Sequence, residues 1–207
     1  SSKARTLSNG ALRFHTDRCD VVGLLCVHPA KSGGISKIAS SVHIHNAMLE
    51  RRPDLAALLY KPYHRSRQGE EFGGEKMTYP LPVFGQRDGR FTSHYSRTYV
   101  EAAEEIEPRN KLTALQIEAL DLLAELATEF SMSFHFRPGD MQFLNNHVIY
   151  HARTAYQDDD GPRKRLLHRL WLSMPNSRAL PKDHVVLWRN VEAGSFRGGI
   201  ATTPNIN

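Results

Sequence analysis

One helix pattern lies between two stretches with strand patterns, and this arrangement is the strongest constraint on the fold. Thr113–Gln116 matches a capping box, in which the two terminal side chains satisfy free amides at a helix start. The helix is predicted to run to about Ala127, with an apolar face that includes Ile117. From Met132 the apolar period becomes two, which indicates strands.

Strand patterns occur on both sides of this helix. Residues 11–29 are predicted to form one long strand or a strand pair, with an apolar run suited to a sheet buried on both faces. After the helix, strands are predicted at residues 133–136, 141–144 and 148–150, and at 165–174, which is expected to return beside the strand before it. A mostly β chain with a helical insertion favours a jelly roll.

The other segments suggest one domain with an insertion. Residues 40–49 and a stretch that starts at Pro53 are predicted helices. Residues 61–111 are the least periodic part of the chain, and a region of that length often forms a lid or a binding loop. We therefore expect residues 1–190 to form a single domain with a lid or insertion at 61–111, and residues 191–207 to be a loosely ordered tail.

Composition narrows the class of protein. Apolar residues at 40% and charged residues at 24% are typical of a soluble globular protein. The apolar runs are too short to span a bilayer, so we expect a cytoplasmic protein with no membrane partner. The net charge of +5 is modest and its basic residues are dispersed. This pattern favours a solvated basic surface over nucleic-acid binding.

Two histidine motifs far apart in the chain supply a possible metal ligand set. His15 and Asp17 are two positions apart, so on a strand their side chains would share a face. His151 follows a short apolar run. Two histidines and one carboxylate form the facial triad, which holds Fe(II) and leaves positions open. Each motif is weak alone, because a histidine that ends an apolar strand is more often a buried core residue.

Arginines near the second motif strengthen this hypothesis. In a strand over residues 165–173, Arg165 and Arg169 would project to the same face. Guanidinium groups inside a barrel are costly unless they pair with an anion, and arginine suits a carboxylate partner. The pattern therefore suggests an organic acid bound beside a metal. The alternative is that these arginines are simply solvated.

The sequence resembles a known protein family. Four motifs appear in the family's order: Arg13–Asp17, Gly33–Ser36, Gly139–Arg153 and Arg165–Arg169. Together they resemble the taurine dioxygenase and gamma-butyrobetaine hydroxylase family, over about residues 12 to 173. The resemblance implies a double-stranded β-helix (jelly-roll) core. It also implies a dioxygenase that uses Fe(II), 2-oxoglutarate and O2.

The resemblance assigns roles residue by residue. The positions of the family's iron ligands correspond to His15, Asp17 and His151. Arg165 corresponds to the arginine that pairs with the distal carboxylate of 2-oxoglutarate, and Ser36 to a hydroxyl that helps to bind it. Arg169 corresponds to an arginine that contacts the anionic group of the substrate. Arg163 is a competitor for the role of Arg165, and the short interval after Asp17 leaves the role of Ser36 open.

The implied reaction is hydroxylation of a C–H bond in a small, anionic substrate, with release of succinate and CO2. The resemblance also implies a homodimer or a homotetramer, and further strands that precede the first motif. Three other functions stay open. They are a metal hydrolase that uses the same ligands or His43 and His45, a catalytically silent jelly-roll binding module, and a basic nucleic-acid-binding domain.

Overall fold

The structure is a computed structural model that describes residues 8–71 and 73–199. The strands are β1 Leu12–His15, β2 Val21–His28, β3 Ser32–Gly33, β4 Ser36–Ser40, β5 Pro62–Ser66, β6 Thr78–Pro82, β7 Phe84–Arg87, β8 Arg90–Ser93, β9 Met132–Phe134, β10 Met141–Asn145, β11 Ile149–Arg153, β12 Tyr156–Gln157 and β13 Leu166–Leu172. The helices are α1 Ser41–Arg51, α2 Pro53–Leu58, α3 Arg97–Ile106, α4 Ala114–Glu129 and α5 Val185–Trp188.

Two antiparallel sheets form the centre of the molecule. One has the strand order β1-β11-β4-β9 and the other the order β10-β2-β13. An apolar cluster of Cys19, Val22 and Leu144 is packed against Ile38 and Ile149 of the first sheet. Because this cluster takes side chains from both sheets, the two sheets face each other across it. The chain is therefore mostly β, as the sequence predicts.

Helix α4 begins where its sequence predicts. The Thr113 side chain accepts a hydrogen bond from the main-chain amide of Gln116, and the Gln116 side chain accepts one from the main-chain amide of Thr113. The capping box is therefore confirmed. Leu120, Leu123 and Leu126 are buried in the largest apolar cluster. Ile117, which we expected on the same face, is 39% exposed.

Two strand predictions are wrong in their pairing. The segment 11–29 is neither one strand nor a hairpin, because β1 pairs with β11 in one sheet and β2 pairs with β10 and β13 in the other. Strand β13 lies beside β2 and not beside the strand before it. It also begins at Leu166, with a register shift at Leu167. Arg165 therefore lies just outside the strand, and simple alternation does not relate it to Arg169.

Residues 61–111 contain more regular structure than the sequence suggests. They form two hairpins, β5-β6 and β7-β8, followed by α3. The strands are short and contain prolines and paired aromatics, so they leave no clear period. Whether this segment acts as a lid stays a prediction.

The predicted loose tail is wrong for residues 191–199. Val191 packs in an apolar cluster with Leu187 and Trp188. The Arg197 side chain is fully buried and ion-paired to Asp20 at 2.8 Å. The pair of Arg197 and Asp20 is long-range in sequence, so local composition cannot signal it. Residues 200–207 lie outside the described part of the chain.

The helices are short, and α4, with 16 residues, is the longest of those described. Within residues 8–71 and 73–199, no helix has both the length and the apolar character needed to cross a membrane.

Candidate metal centre

The two predicted histidine ligands meet because their strands pair. His15 in β1 lies directly opposite His151 in β11. Residues opposite each other in an antiparallel pair share a face, so both rings point to the same side of the sheet. Their ring centroids are 4.2 Å apart.

Asp17 completes the cluster from the loop after β1. Its Oδ1 is 3.7 Å from His15 Nε2, and its Oδ2 is 3.9 Å from His151 Nε2. One ligand atom from each residue lies within 4.8 Å of the others. Among the described residues, this is the one group of three or more His, Cys, Asp or Glu with such spacing. The atoms are too far apart to bond to one another, and they converge as ligands around a metal ion do.

Neighbouring groups hold Asp17 in place. Its main-chain amide donates a hydrogen bond to Asn146 Oδ1 at 3.2 Å. Trp171 Nε1 donates to Asp17 Oδ2 at 2.8 Å, and Arg169 Nη1 lies 3.3 Å from the same oxygen. Donors that form hydrogen bonds to a ligating carboxylate in this way orient it towards the metal.

The charges in the cluster suit a divalent cation. Burial alone would raise the pKa of the Asp17 carboxyl, but the adjacent histidines and Arg169 outweigh burial and hold this pKa below its ordinary value. Burial lowers the pKa of His151 to about 3. The cluster at neutral pH therefore contains an ionised carboxylate and a neutral imidazole, which are the forms that bind metals.

The hydrogen bonding of the histidines differs. His15 Nδ1 lies 2.8 Å from the Arg13 carbonyl oxygen, so Nδ1 carries the proton and Nε2 presents its lone pair to the cluster. His151 Nδ1 is buried, and the described residues offer it no hydrogen-bond partner. The donor set fits a 2-His-1-carboxylate iron site.

A cavity of about 390 Å³ opens beside the ligands. His15, Asp17, Arg169 and Trp171 line one part of it. Its lining also includes Arg67, Gln68 and Glu70 and residues of α3, so part of segment 61–111 forms its wall. A cavity of this size is typical of sites for small molecules.

Ser36 and Arg165 lie elsewhere around the ligands. Ser36 is buried in β4 opposite Arg153, which is two residues beyond His151. The guanidinium groups of Arg153 and Arg165 lie 4.7 and 4.9 Å from the ring of Tyr156. Neither Ser36 nor Arg165 lines the 390 Å³ cavity. The competitor Arg163 is exposed, whereas Arg165 is half-buried.

The other candidate ligand pair, His43 and His45, belongs to no such cluster within residues 8–71 and 73–199. His43 packs on Phe130 with ring centroids 4.3 Å apart. His45 Nε2 is 2.8 Å from the hydroxyl of Tyr60, and its ring packs against Phe91. These contacts give the two histidines packing roles on α1.

Several residues around the centre were missed by the sequence analysis. Trp171 could have been found, because it lies two residues beyond Arg169 on a strand and shares its face. Arg18, Arg67 and Tyr99 also line the cavity. No sequence signal relates Arg67 or Tyr99 to the ligands, since both belong to the segment without a clear period.

The fold and the cluster of His15, Asp17 and His151 are those expected of a non-haem iron oxygenase with a 2-His-1-carboxylate site. The model of the family described as taurine catabolism dioxygenase TauD, TfdA family matches residues 1–171. The chain belongs to this family, which confirms the resemblance seen in the sequence.

Two curated relatives agree with this membership. FR-33289 synthase of Streptomyces rubellomurinus (strain ATCC 31215) is 35% identical over 184 residues, which cover 84% of this chain and 53% of that protein. Taurine hydroxylase-like protein SAT17 of Stachybotrys chartarum (strain CBS 109288 / IBT 7711) is 34% identical over 185 residues, covering 86% of this chain and 44% of that protein. The chain therefore spans about half the length of the curated relatives it matches.

Solved structures share the fold. An asparagine oxygenase in complex with Fe(II), 2S,3S-3-hydroxyasparagine and succinate has a TM-score of 0.64 and 20% identity, covering 80% of this chain and 50% of that chain. The non-heme iron oxygenase OrfP in complex with Fe and alpha-ketoglutaric acid has a TM-score of 0.56 and 16% identity, covering 79% and 49%. At these identities the likeness concerns the fold alone.

Proposed function

We propose that the chain is an Fe(II)- and 2-oxoglutarate-dependent dioxygenase that hydroxylates a C–H bond of a small, anionic substrate. One observation carries the proposal. His15, Asp17 and His151 converge within 4.8 Å beside a cavity that can hold a small molecule. Membership of the TauD, TfdA family supports the same reaction class. The proposal includes a double-stranded β-helix core.

His15, Asp17 and His151 would hold the iron through Nε2, a carboxylate oxygen and Nε2. Bound Fe(II), together with 2-oxoglutarate and O2, supplies the oxidation that places one oxygen atom in a C–H bond and leaves succinate and CO2. The chain's own residues keep this ligand set in the right form. The Arg13 carbonyl fixes the tautomer of His15, and burial keeps His151 neutral.

Different residues surround the ligands on two sides, which suggests two binding regions. We assign Arg165 and Ser36 to the distal carboxylate of 2-oxoglutarate, because both lie near Arg153, two residues beyond His151. The 390 Å³ cavity would take the substrate, and its walls would exclude water from the reacting bond. The assignment of Arg169 to the substrate anion stays a prediction. Its Nη1 lies 3.3 Å from Asp17, which also suits a role in orienting the ligand.

Release of succinate tests the proposed function. The folded chain with Fe(II), 2-oxoglutarate and O2 should form succinate even without substrate, through uncoupled turnover, and His15→Ala should reduce this to background. His43→Ala is the matched control and should leave the rate unchanged, because His43 lies outside the cluster. A metal hydrolase or a silent binding module predicts no succinate from either protein. That result from folded, iron-loaded chain would refute the proposal.

A further inference from the structure

The wall of the cavity contains two buried arginines with incomplete hydrogen bonding. The Arg18 side chain is 8% exposed and that of Arg67 is 5% exposed. Both residues line the cavity that also contains His15 and Asp17. Arg18 Nη2 and Arg67 Nη1 are buried, and neither has a hydrogen-bond partner among the described residues. Buried guanidinium N–H groups are normally paired, so these two are unusual.

The neighbouring carboxylates only partly compensate for these charges. Arg18 Nη2 is 3.5 Å from Glu70 Oε2, and Arg67 Nη1 is 3.5 Å from Glu75 Oε2. Charge-assisted hydrogen bonds are normally 2.7–2.9 Å long, so both contacts are loose. Burial lowers the pKa of Arg18, and the nearby carboxylate of Glu70 opposes this effect without cancelling it. Each of these two guanidinium groups is therefore held away from water with one donor that its carboxylate neighbour does not satisfy.

Arg67 is fixed in position before any ligand binds. Its Nε donates to the Lys76 carbonyl at 3.0 Å, and its Nη2 donates to the Val186 carbonyl at 2.9 Å. Its guanidinium also lies 4.6 Å from the centre of the Tyr79 ring. A side chain held in this way loses little entropy when it binds an anion. By contrast Arg13, which lines the same cavity, is ion-paired with Glu101 at 2.5 Å and is 48% exposed.

We propose that Arg18 and Arg67 form an oxyanion subsite that binds the anionic group of the substrate. The identity of the bound group as substrate rests on the proposed function. Arg169 is less suited to this task, because its Nη1 is already shared with the two oxygens of Asp17. Oxyanions such as carboxylate, sulfonate or phosphate match the paired N–H donors of guanidinium groups.

Anion binding to the metal-free protein tests this proposal. Inorganic phosphate, sulfate and acetate are titrated in the presence of a chelator and in the absence of 2-oxoglutarate, by isothermal titration calorimetry. We expect one equivalent of at least one anion to bind. Arg18→Gln and Arg67→Gln should each weaken it about tenfold, the loss typical of a charge-assisted hydrogen bond. Arg13→Gln is the matched control and should change the affinity by less than about twofold, because that arginine already has a carboxylate partner.

Further variants keep the result decisive. If either arginine variant fails to fold, Glu70→Gln replaces it. That change removes the carboxylate beside Arg18 and should strengthen anion binding about threefold or more. An unchanged or weaker affinity in Glu70→Gln contradicts the subsite. The subsite is also contradicted if folded wild-type protein binds none of the three anions, or if binding is lost in Arg165→Gln and kept in Arg18→Gln.

The iron experiment and the anion experiment can fail separately. Anion binding without succinate release would support the subsite and refute the dioxygenase proposal. Succinate release without anion binding would support the dioxygenase proposal and refute the subsite.

Discussion

Two buried clusters of this molecule use the same residue types and differ in geometry. Asp17 faces His15 and His151 at 3.7 and 3.9 Å, with Arg169 beside it. Asp20, three residues later, receives hydrogen bonds from His147 at 2.8 Å and from Arg197 at 2.8 and 2.9 Å. The first cluster leaves its ligand atoms unpaired to each other. In the second cluster, the polar atoms of these residues bond to one another.

This difference distinguishes a candidate metal site from a structural hydrogen-bond network. Met174 donates its main-chain amide to the second oxygen of Asp20 at 2.9 Å, so protein groups satisfy both oxygens. The side chains of Asp20, His147 and Arg197 are 3%, 4% and 0% exposed. Asn146 contacts both clusters. Its Oδ1 accepts a hydrogen bond from the main-chain amide of Asp17, and its own main-chain amide donates to the main-chain carbonyl of Asp20. Composition alone could not tell these two clusters apart.

The largest expected effect is on stability, from Asp20→Asn. The change leaves the buried Arg197 charge facing a neutral amide, and breaking a buried ion pair costs about 3–5 kcal/mol. Urea unfolding of the metal-free protein measures the loss. Asp17→Asn is the matched control and should cost less than half as much, because its partner Arg169 is 32% exposed. Equal losses in the two variants would contradict the division into an open and a closed cluster.

The reverse order is expected for metal affinity. Asp17→Asn removes a proposed ligand and should weaken anaerobic Fe(II) binding by more than about a hundredfold, since loss of a group that only hydrogen-bonds to a ligand already costs about 10–100-fold. Folded Asp20→Asn should bind Fe(II) within about tenfold of wild type, because its carboxylate points into the closed network. Calorimetric titration compares them. Comparable losses would mean that Asp20 also belongs to the metal site.

The free energy of unfolding should depend on pH through His151 of the open cluster. His151 has a pKa of about 3 in the folded protein, against an ordinary value of 6.5, so the unfolded chain binds more protons between these values. Stability conferred by neutral His151 is therefore present above pH 6.5 and declines as the pH falls towards 3. The slope from this residue is at most about 1.4 kcal/mol per pH unit.

Urea unfolding in chelator between pH 6.5 and 5 tests this, with His151→Gln expected to flatten the slope. His168→Gln, at an exposed position, is the control and should leave the slope as in wild type. The same slope in wild type and in His151→Gln would contradict the buried, neutral state of His151.

The smallest effect is expected from Trp171→Phe. It removes one hydrogen bond, of 2.8 Å, to Asp17 Oδ2 and should weaken Fe(II) binding about tenfold. Trp188→Phe is a matched control, because Trp188 Nε1 has no hydrogen-bond partner among the described residues. Its Fe(II) affinity should match that of wild type. If the two variants bind Fe(II) equally well, the Trp171 bond does not orient the ligand.

The sequence predicted the elements and residues that carry a local signal. The capping box located α4, and the motifs around His15 and His151 identified the ligand set that the structure brings together. The three residues meet through the pairing of β1 with β11, which neither segment alone encodes.

Other features depend on contacts that no local pattern encodes. The partner of Asp20 lies at Arg197, in a segment whose composition predicted a loose tail. Strand β13 pairs with β2, so its partner could not be inferred from the neighbouring turn. The cavity wall contributed by Arg67 and Tyr99 comes from short hairpins and a helix within residues 61–111, where aromatic packing replaces a regular apolar period.

The central claim is that the open cluster holds Fe(II) next to a 2-oxoglutarate site, and an anaerobic titration tests it most directly. The Fe(II)-loaded protein is titrated with 2-oxoglutarate and its visible absorption is recorded. We expect a charge-transfer band that saturates at one equivalent, is absent in Asp17→Ala, and needs more 2-oxoglutarate to develop in Arg165→Ala. Folded, iron-loaded wild-type protein that develops no band, or a band that persists in Asp17→Ala, would contradict the assignment.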